Sequence, residues 1–431
     1  ESAGIVTSDG TKLFSHKRMG RVADAFDAEA LAALPGLNAI GHVRYSTAGS
    51  SNLKNAQPFA VEFGGTSLAI AHNGNLTNAM ALREELESDG ALFHSTMDTE
   101  VIVHLLARAQ GKLVDRVKQV ARRLEGAYSV LVLTPDELIA VRDPHGFRPL
   151  VLGQVDGGYV LSSETCALRL VEATPMREIE PGEIFCLGSE VPASTFIEST
   201  ADRPHHCIFE HVYFARPDTE LFGESVYAVR HNSGRRLATE SPVADADVVI
   251  AVPDSGTTAA LGFAQTAELP FEMGLIRSHY AGRTFIEPSS SIRHFGVKLK
   301  LSPVASVIEG RSVVVVDDSL VRGTTSRKII RMLREAGASA VHMRIACPPT
   351  NNPCFYGIDT PTKRELIASS HTVDDIRRFL GADSLAYLSI EGLQGSVRGG
   401  CERYCHACFT GDYPVKPPTA GHRRYHLSEH Q

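Results

Sequence analysis

The sequence predicts a mixed α/β and α+β chain built as two unlike halves, and three observations carry that reading. Residues 1 to about 195 break into many short strand-like runs with two helices among them. From residue 245 onward, strand–loop–helix units follow one another, the pattern of a parallel α/β sheet. Between the halves, residues 195–206 are polar and contain Pro204, His205 and His206. The expected division is therefore 1–200, 201–413, and a Pro- and His-rich tail at 414–431.

In the first half, GHVRYS (41–46) and SLAIAHNG (67–74) read as strands, the second ending in turn chemistry at Asn73-Gly74. MALREELESDG (80–90) reads as a helix closed by Gly90. TEVIVHLLARAQG (99–111) reads as a second, amphipathic helix with Val101, Leu105 and Leu106 on its apolar face. AYSVLVLT (127–134) and ELIAVRDP (137–144) form a hairpin about Pro135-Asp136. Such alternation suits a layered sandwich of sheets and helices. In the second half, DADVVIAVPDSGTTAALGFAQ (245–265) is strand, loop, helix; residues 311–338 repeat the plan, and ASAVHMRIACPP (338–349) adds a strand.

A length of 431 residues allows two or three domains at a prior of roughly 150 residues each. Hydrophobic residues at 43% and charged residues at 22% are ordinary for a globular protein. The net charge of -7 gives no reason to expect nucleic acid or an anionic membrane as partner. No apolar run approaches the roughly 18 residues of a spanning helix. Eight cysteines in a long chain without a visible signal segment argue against a disulfide framework, so the cytoplasm is the expected compartment.

The strongest motif is VVVVDDSLVRGTTS (313–326). Four valines make a buried parallel strand, and Asp317 and Asp318 sit at its carboxyl end, where α/β sheets bind ligands. Gly323 then precedes Thr324, Thr325 and Ser326, which open a helix. Free N–H groups and hydroxyls at that start would cradle a phosphate. The acidic pair would accept hydrogen bonds from sugar hydroxyls and could share Mg²⁺. No Gly-Lys-Ser/Thr follows, so this is not a Walker loop.

This string resembles the phosphoribosyl pyrophosphate loop of type I phosphoribosyltransferases. VPDSGT (252–257), with Ser255, Gly256 and Thr257, resembles their pyrophosphate loop. The resemblance implies magnesium contacts at Ser255, Asp317 and Asp318, and substrate contacts that include Ser319 and Arg322. RSHYAGRTFIEP (277–288) resembles the loop that closes over the substrate and includes Arg283; Lys298 and Lys300 follow as candidates to neutralise phosphates.

GHVRYST (41–47), AHNGNLTN (71–78) and STMDTE (95–100), followed by RDPHGFRPL (142–150) and SSETCAL (162–168), closely resemble the glutaminase domain of amidophosphoribosyltransferases. That resemblance implies an αββα sandwich of the N-terminal-nucleophile hydrolase type, then a type I phosphoribosyltransferase domain. It implies that Arg44 pairs the α-carboxylate of glutamine, that Asp98 receives its α-ammonium, and that the Asn73 side chain and Gly74 N–H form an oxyanion hole. The family's nucleophile is an N-terminal cysteine; the chain opens ESAGIVTSDG, so no catalytic residue is assigned in it. The expectation is a natural start that carries this cysteine ahead of Glu1; as written, the polypeptide should not hydrolyse glutamine.

Cys405-His406-Ala407-Cys408 is a CxxC, compatible with a redox pair, a zinc half-site or neither. With Cys207 and Cys354 it resembles the ligand set of the iron–sulfur members of the family, which implies a [4Fe–4S] cluster; zinc is the alternative, and Cys401 is an alternative ligand to Cys405. The resemblance further implies glutamine and phosphoribosyl pyrophosphate as substrates, feedback by purine nucleotides, and a homo-oligomer, commonly a tetramer. Tyr45, Tyr280 and Ile286 resemble coupling and channel positions. A hexosamine synthase shares the first half but would lack the Asp317-Asp318 loop. A non-catalytic regulator that senses phosphoribosyl pyrophosphate, or a transferase limited to free ammonia, would keep it.

Overall fold

A computed structural model describes residues 1–45, 52–188, 192–198, 201–278 and 301–418. Arg283, Lys298, Lys300, Tyr280 and Ile286 lie outside the described residues. The chain divides into two compact units. The first holds Glu1–His206, takes in Cys354–Thr360 from far along the chain, and includes 413–418; the second holds Cys207–Pro353 and Pro361–Asp412. A linear division near residue 200 does not contain that excursion.

Among its described residues the first unit contains the strands β1 (Ser2–Ser8), β2 (Leu13–Met19), β3 (Asn38–Arg44), β4 (Phe59–Phe63), β5 (Thr66–Leu76), β6 (Gly126–Leu133), β7 (Leu138–Arg142), β8 (Val151–Val155), β9 (Gly158–Ser162), β10 (Thr174–Glu178), β11 (Glu183–Leu187) and β12 (Ala193–Phe196). An antiparallel sheet of order β12-β11-β7-β6-β5-β4 forms its centre. Side chains alternate faces along a strand, and here the alternation assigns two cores. Ile70 of β5, Val130 and Val132 of β6, and Ile139 and Val141 of β7 pack with Leu82, Ile102, Leu106 and Val117 from the helices Ala79–Ser88, Thr99–Arg108 and Leu113–Ala121. Their strand neighbours point the other way. Ala69, Ala71 and Leu133 meet Val6 and Ile40 of the β2-β1-β3 sheet. Ala140 and Phe185 meet Leu152 of the β10-β8-β9 sheet and Leu150 just before it.

The expected hairpin is present, with Leu133 opposite Leu138. One expectation is corrected. Asn73-Gly74 does not end its strand: β5 runs to Leu76, with Asn73 opposite Ser129 and Gly74 opposite Tyr128. The ladder with β6 overrides the local turn preference of Asn-Gly.

The two-residue strand β13 (His206–Cys207) straddles the division in sequence and pairs with a strand near the chain's end; in the second unit β14 (Glu220–Leu221) pairs with β15 (Glu224–Ser225). A parallel sheet follows, made of β16 (Val248–Ala251), β19 (Ser312–Asp317), β20 (Ala340–Ile345) and β21 (Ser384–Tyr387) in that order. Beside it β17 (Leu275–Arg277) and β18 (Leu301–Pro303) form a ribbon. The four valines 313–316 are completely buried, as a strand covered on both faces requires. Helices Thr257–Ala267 and Thr324–Glu335 follow β16 and β19 directly, and the second buries Ile329, Ile330 and Leu333. Helix Val373–Leu380 opens with a reciprocal Thr372–Asp375 capping box and closes at Gly381. Last, β22 (Tyr404–Cys405) is the partner of β13.

The two-core assignment has a direct consequence. Ile70 is fully buried on the helix-facing side of β5. Ile70→Ala should cost about 2–5 kcal/mol through lost burial and a residual cavity, measured by chemical denaturation of the first unit's transition.

Candidate functional site

The second unit's site is built at two neighbouring strand ends. Ala251 of β16 lies beside Val316 of β19, and Val252 N–H donates to Val316 O at 2.9 Å, so the loops that leave both strands emerge side by side. Gly256 is where they touch. A Cβ there would lie 2.6 Å from Val316 O and 3.1 Å from Asp317 Cα, a clash that only glycine avoids. The Pro253–Asp254 peptide in this loop is cis.

Asp317 and Asp318 are both buried. Burial and the neighbouring Asp318 charge hold the Asp317 carboxyl well above the usual carboxylate range. Burial also raises Asp318, opposed by hydrogen bonds from Ser255 and Ser319. Ser319 Oγ donates to Asp318 Oδ1 at 2.5 Å, and Asp318 N–H donates to Asp317 Oδ1 at 3.0 Å. Two buried carboxyls side by side are a site prepared for a cation or for hydroxyl donors.

Across the loop, Gly323 takes a left-handed φ of 72° and caps helix Thr324–Glu335 without a side-chain bond to its first turn. Thr324 and Thr325 are exposed and Ser326 is buried. Both this helix and Thr257–Ala267 thus begin at the same edge with no side-chain cap, a favourable place for anionic oxygens. Arg322 pairs with Glu365 at 2.9 Å, and Arg277, which starts the predicted closing loop, pairs with Asp254.

The first unit gathers a second constellation. Glu100 is buried and its carboxylate accepts from His94 N–H, Ser95 N–H and Ser95 Oγ at 2.6–2.8 Å, which ties down the turn before helix Thr99–Arg108. That turn sets Asp98 at the helix start. Asp98 Oδ2 accepts from Leu76 N–H at 3.0 Å, and its Oδ1 stands 3.5 Å from His72 Nδ1. Burial raises the Asp98 carboxyl, but the His72 charge and the hydrogen bonds outweigh it and hold the group below the carboxylate range. His72 is buried too, which disfavours its charge, yet Asp98 and the Ala127 carbonyl raise it above the ordinary imidazole value. Its Nε2 lies 3.3 Å from Ala127 O. Acceptors stand at both ring nitrogens, so the doubly protonated ring fits.

Arg44 is buried at the end of β3, close enough to Asp98 for their charges to interact, and lies 3.7 Å from Glu1 Oε2. Asn73 Nδ2 donates to Ser163 Oγ at 3.4 Å. Gly74 follows in the strand, where a Cβ would meet Ala127 O at 2.0 Å. The fold thus brings Arg44, Asn73, Gly74 and Asp98 onto neighbouring segments of one unit.

His72 and His42 were not singled out from sequence. His42 Nε2 donates to His72 O at 3.2 Å, and burial followed by the His72 charge pushes it down to about 4, so it is neutral at pH 7. The RDPHGF motif proves to be scaffold. Asp143, raised to about 6 by burial, accepts from the N–H groups of Tyr128, His145 and Phe147 and shapes the loop.

Cys207 and Cys405 stand on paired strands, and Cys408 follows in the short helix Ala407–Thr410. Cys354 Sγ accepts the Tyr356 N–H at 3.3 Å. Among the described residues, no group of three or more His, Cys, Asp or Glu side chains is gathered as a metal site. Nor, among them, is any helix long and apolar enough to cross a membrane.

Residues 42–170 match the model of the glutamine amidotransferase domain family, and residues 224–363 that of the phosphoribosyl transferase domain family. The chain is 54% identical to the chloroplastic amidophosphoribosyltransferase of Glycine max, over 97% of this chain and 74% of that protein. A solved structure described as the allosteric regulatory enzyme of purine biosynthesis superposes with a TM-score of 0.92 at 48% identity, over 97% of this chain and 91% of the other. The Bacillus subtilis glutamine phosphoribosylpyrophosphate amidotransferase complexed with ADP and GMP gives 0.91 at 47% identity, over 97% and 92%.

The His72–Asp98 pair predicts a pH window for stability. Asp98 is depressed, so its contribution is present above the ordinary carboxylate value of 3.8 and lost as pH falls through the folded value. His72 is raised, so its contribution is present below 6.5 and lost as pH rises through the folded value. Breaking the buried pair with His72→Gln should cost about 3–5 kcal/mol on the plateau between those values. The difference from wild type, followed by denaturation against pH, should shrink on either side.

Proposed function

We infer the role of each site from one premise: the chain belongs to the amidophosphoribosyltransferase family. The reaction is the first committed step of purine biosynthesis. Glutamine is hydrolysed to glutamate and ammonia. The ammonia lone pair attacks C1 of phosphoribosyl pyrophosphate as the C1–O bond to pyrophosphate breaks, and the nitrogen loses a proton to give 5-phosphoribosylamine.

The observation that carries the residue assignment is the contact of the two loops at Gly256 and Asp317, with Ser255 bonded to Asp318. Asp317 and Asp318 accept the ribose hydroxyls, which supply the hydrogen bonds that two buried carboxyls need. Thr324, Thr325 and Ser326, at an uncapped helix start, hold the 5-phosphate with Gly323, Ser319 and Arg322 around it. Gly256 and Thr257, at the other helix start, hold the pyrophosphate. A magnesium ion at Ser255, Asp317 and Asp318 would neutralise charge on the departing pyrophosphate, and the oxygen donor set suits it. Arg283 belongs to this reading from its motif alone.

In the first unit, Arg44 takes the α-carboxylate of glutamine as a buried guanidinium. Asp98, held ionised, takes the α-ammonium. The Asn73 side chain and Gly74 N–H stabilise the tetrahedral oxyanion. Water and a nucleophilic thiol complete the chemistry that the family resemblance implies.

Four thiolates at Cys207, Cys354, Cys405 and Cys408 are the expected ligands of a [4Fe–4S] cluster, in a structural role. Supporting features are the paired strands under Cys207 and Cys405 and the N–H bond to Cys354 Sγ, the kind that tunes cluster thiolates. Iron, sulfide and zinc analysis of anaerobically purified protein separates the cluster from zinc. ADP and GMP in the B. subtilis structure support feedback by purine nucleotides, and the tetramer and the cytoplasmic placement belong to the same reading.

The decisive measurement is pyrophosphate release from phosphoribosyl pyrophosphate and Mg²⁺ with glutamine or ammonium as donor. Turnover with ammonium supports the transferase site, and turnover with glutamine supports the glutaminase site as well. No turnover with either would favour a ligand-sensing protein instead. Asp317→Asn should lower ammonium-dependent kcat/KM about a hundredfold or more. Because it removes one of two buried, mutually repelling carboxyls, it should also raise the unfolding midpoint of the substrate-free protein.

A further inference from the structure

The excursion Cys354–Thr360 leaves the second unit's sequence at Pro353, joins the first unit, and returns at Pro361. Within the first unit its contacts converge on β5. Asn75 Nδ2 donates to Phe355 O at 2.9 Å. At Gly357 the backbone runs against Gly74: a Cβ on Gly357 would lie 3.1 Å from both Cα and C of Gly74 and 3.3 Å from its O. Gly357 also has φ of 97°, a conformation L side chains rarely adopt. Gly74 has Ala127 O against it as well, so it is held between two stretches of backbone and has little room to yield.

The excursion is itself anchored. The ring of Tyr356 stacks on Phe147 with centroids 4.2 Å apart and planes 15° from parallel. Its hydroxyl donates to Val415 O and accepts the Val415 N–H at 3.0 Å. Phe355 meets Tyr413 edge to face. Cys354 N–H donates to Thr360 Oγ1 at 2.6 Å and closes the segment on itself. Phe147 is fully buried in the loop that Asp143 organises, so the chain of contacts runs from a rigid scaffold through Tyr356 to Gly357 and Gly74.

We propose that Gly357 and the Phe355 carbonyl are positioning elements for the glutaminase reaction, which fix the strand that presents Asn73 and Gly74 to the tetrahedral intermediate. This rests on the reading of Asn73 and Gly74 as the oxyanion hole. An oxyanion hole acts through donors preset within a few tenths of an ångström, so a backbone that can drift loses transition-state stabilisation before it loses substrate binding. Gly357 touches no reacting atom in this account and acts only through Gly74.

The test compares glutamine-dependent with ammonium-dependent pyrophosphate release in the full-length enzyme carrying Gly357→Ala or Asn75→Ala. In both variants, glutamine-dependent kcat should fall at least about tenfold. The KM for glutamine and the ammonium-dependent rate should stay within about twofold of wild type. An equal fall of both activities, or a rise in KM with kcat unchanged, would overturn the positioning role and leave the excursion a packing element. Unchanged glutamine turnover in both variants would overturn it too. If Gly357→Ala does not fold, Asn75→Ala decides alone, since it removes one hydrogen bond and adds no bulk. Asn73→Ala separates the two levels of inference. If it leaves glutamine turnover intact, the oxyanion-hole reading has failed. If it abolishes turnover while the other two variants behave as wild type, only the positioning role has failed.

Discussion

In the second unit the Val252 N–H donates to Val316 O, and that bond carries the parallel ladder of β16 and β19 beyond their last paired residues. Two loops that are about sixty residues apart in sequence are thereby forced to leave the sheet together. Gly256 can then press its backbone against Val316 and Asp317, and Ser255 reaches Asp318. Slip the ladder by one residue and every side chain would exchange faces, with the acidic pair directed away from the neighbouring loop. The acidic pair and the two helix starts inherit their common edge from this register.

The two sites treat buried charge differently. Asp317 and Asp318 stand together, and burial disfavours their ionised forms. In the first unit the carboxyl of Asp98 is already matched by His72 and an N–H, which hold it below the carboxylate range. The first arrangement suits a site completed by what it binds. The second suits a preset contact for an ammonium group. In both, a helix start lies beside the acids, so backbone dipoles supplement side-chain charge.

Much of this was legible in the sequence, for identifiable reasons. A run such as Val313–Val316 ending in two acids has few alternatives to a buried parallel strand with a binding loop, because both its faces must be covered. The first unit's central hairpin was legible from alternation alone. Asn73-Gly74 reads as a strand end because turn preference is local, whereas the pairing with β6 depends on residues more than fifty positions away. His72 is not legible in the sequence, because a single histidine carries no signal until the fold brings Asp98 beside it. The strand β21 is only four residues long, and helix Leu113–Ala121 begins just after the glycine that appeared to end the preceding one. The excursion at 354–360 leaves no periodic trace, since its role rests on where the chain returns and not on its composition.

That excursion bears on how such a protein could arise or be taken apart. A segment excised as residues 1–206 would keep the six-stranded sheet with Arg44, Asn73 and Asp98, yet lack the stretch that lies against Gly74. The first unit is therefore not one continuous run of sequence that a single crossover could move whole. The stretch against Gly74 is encoded within the run of sequence that otherwise forms the second unit, so the two units are inherited together.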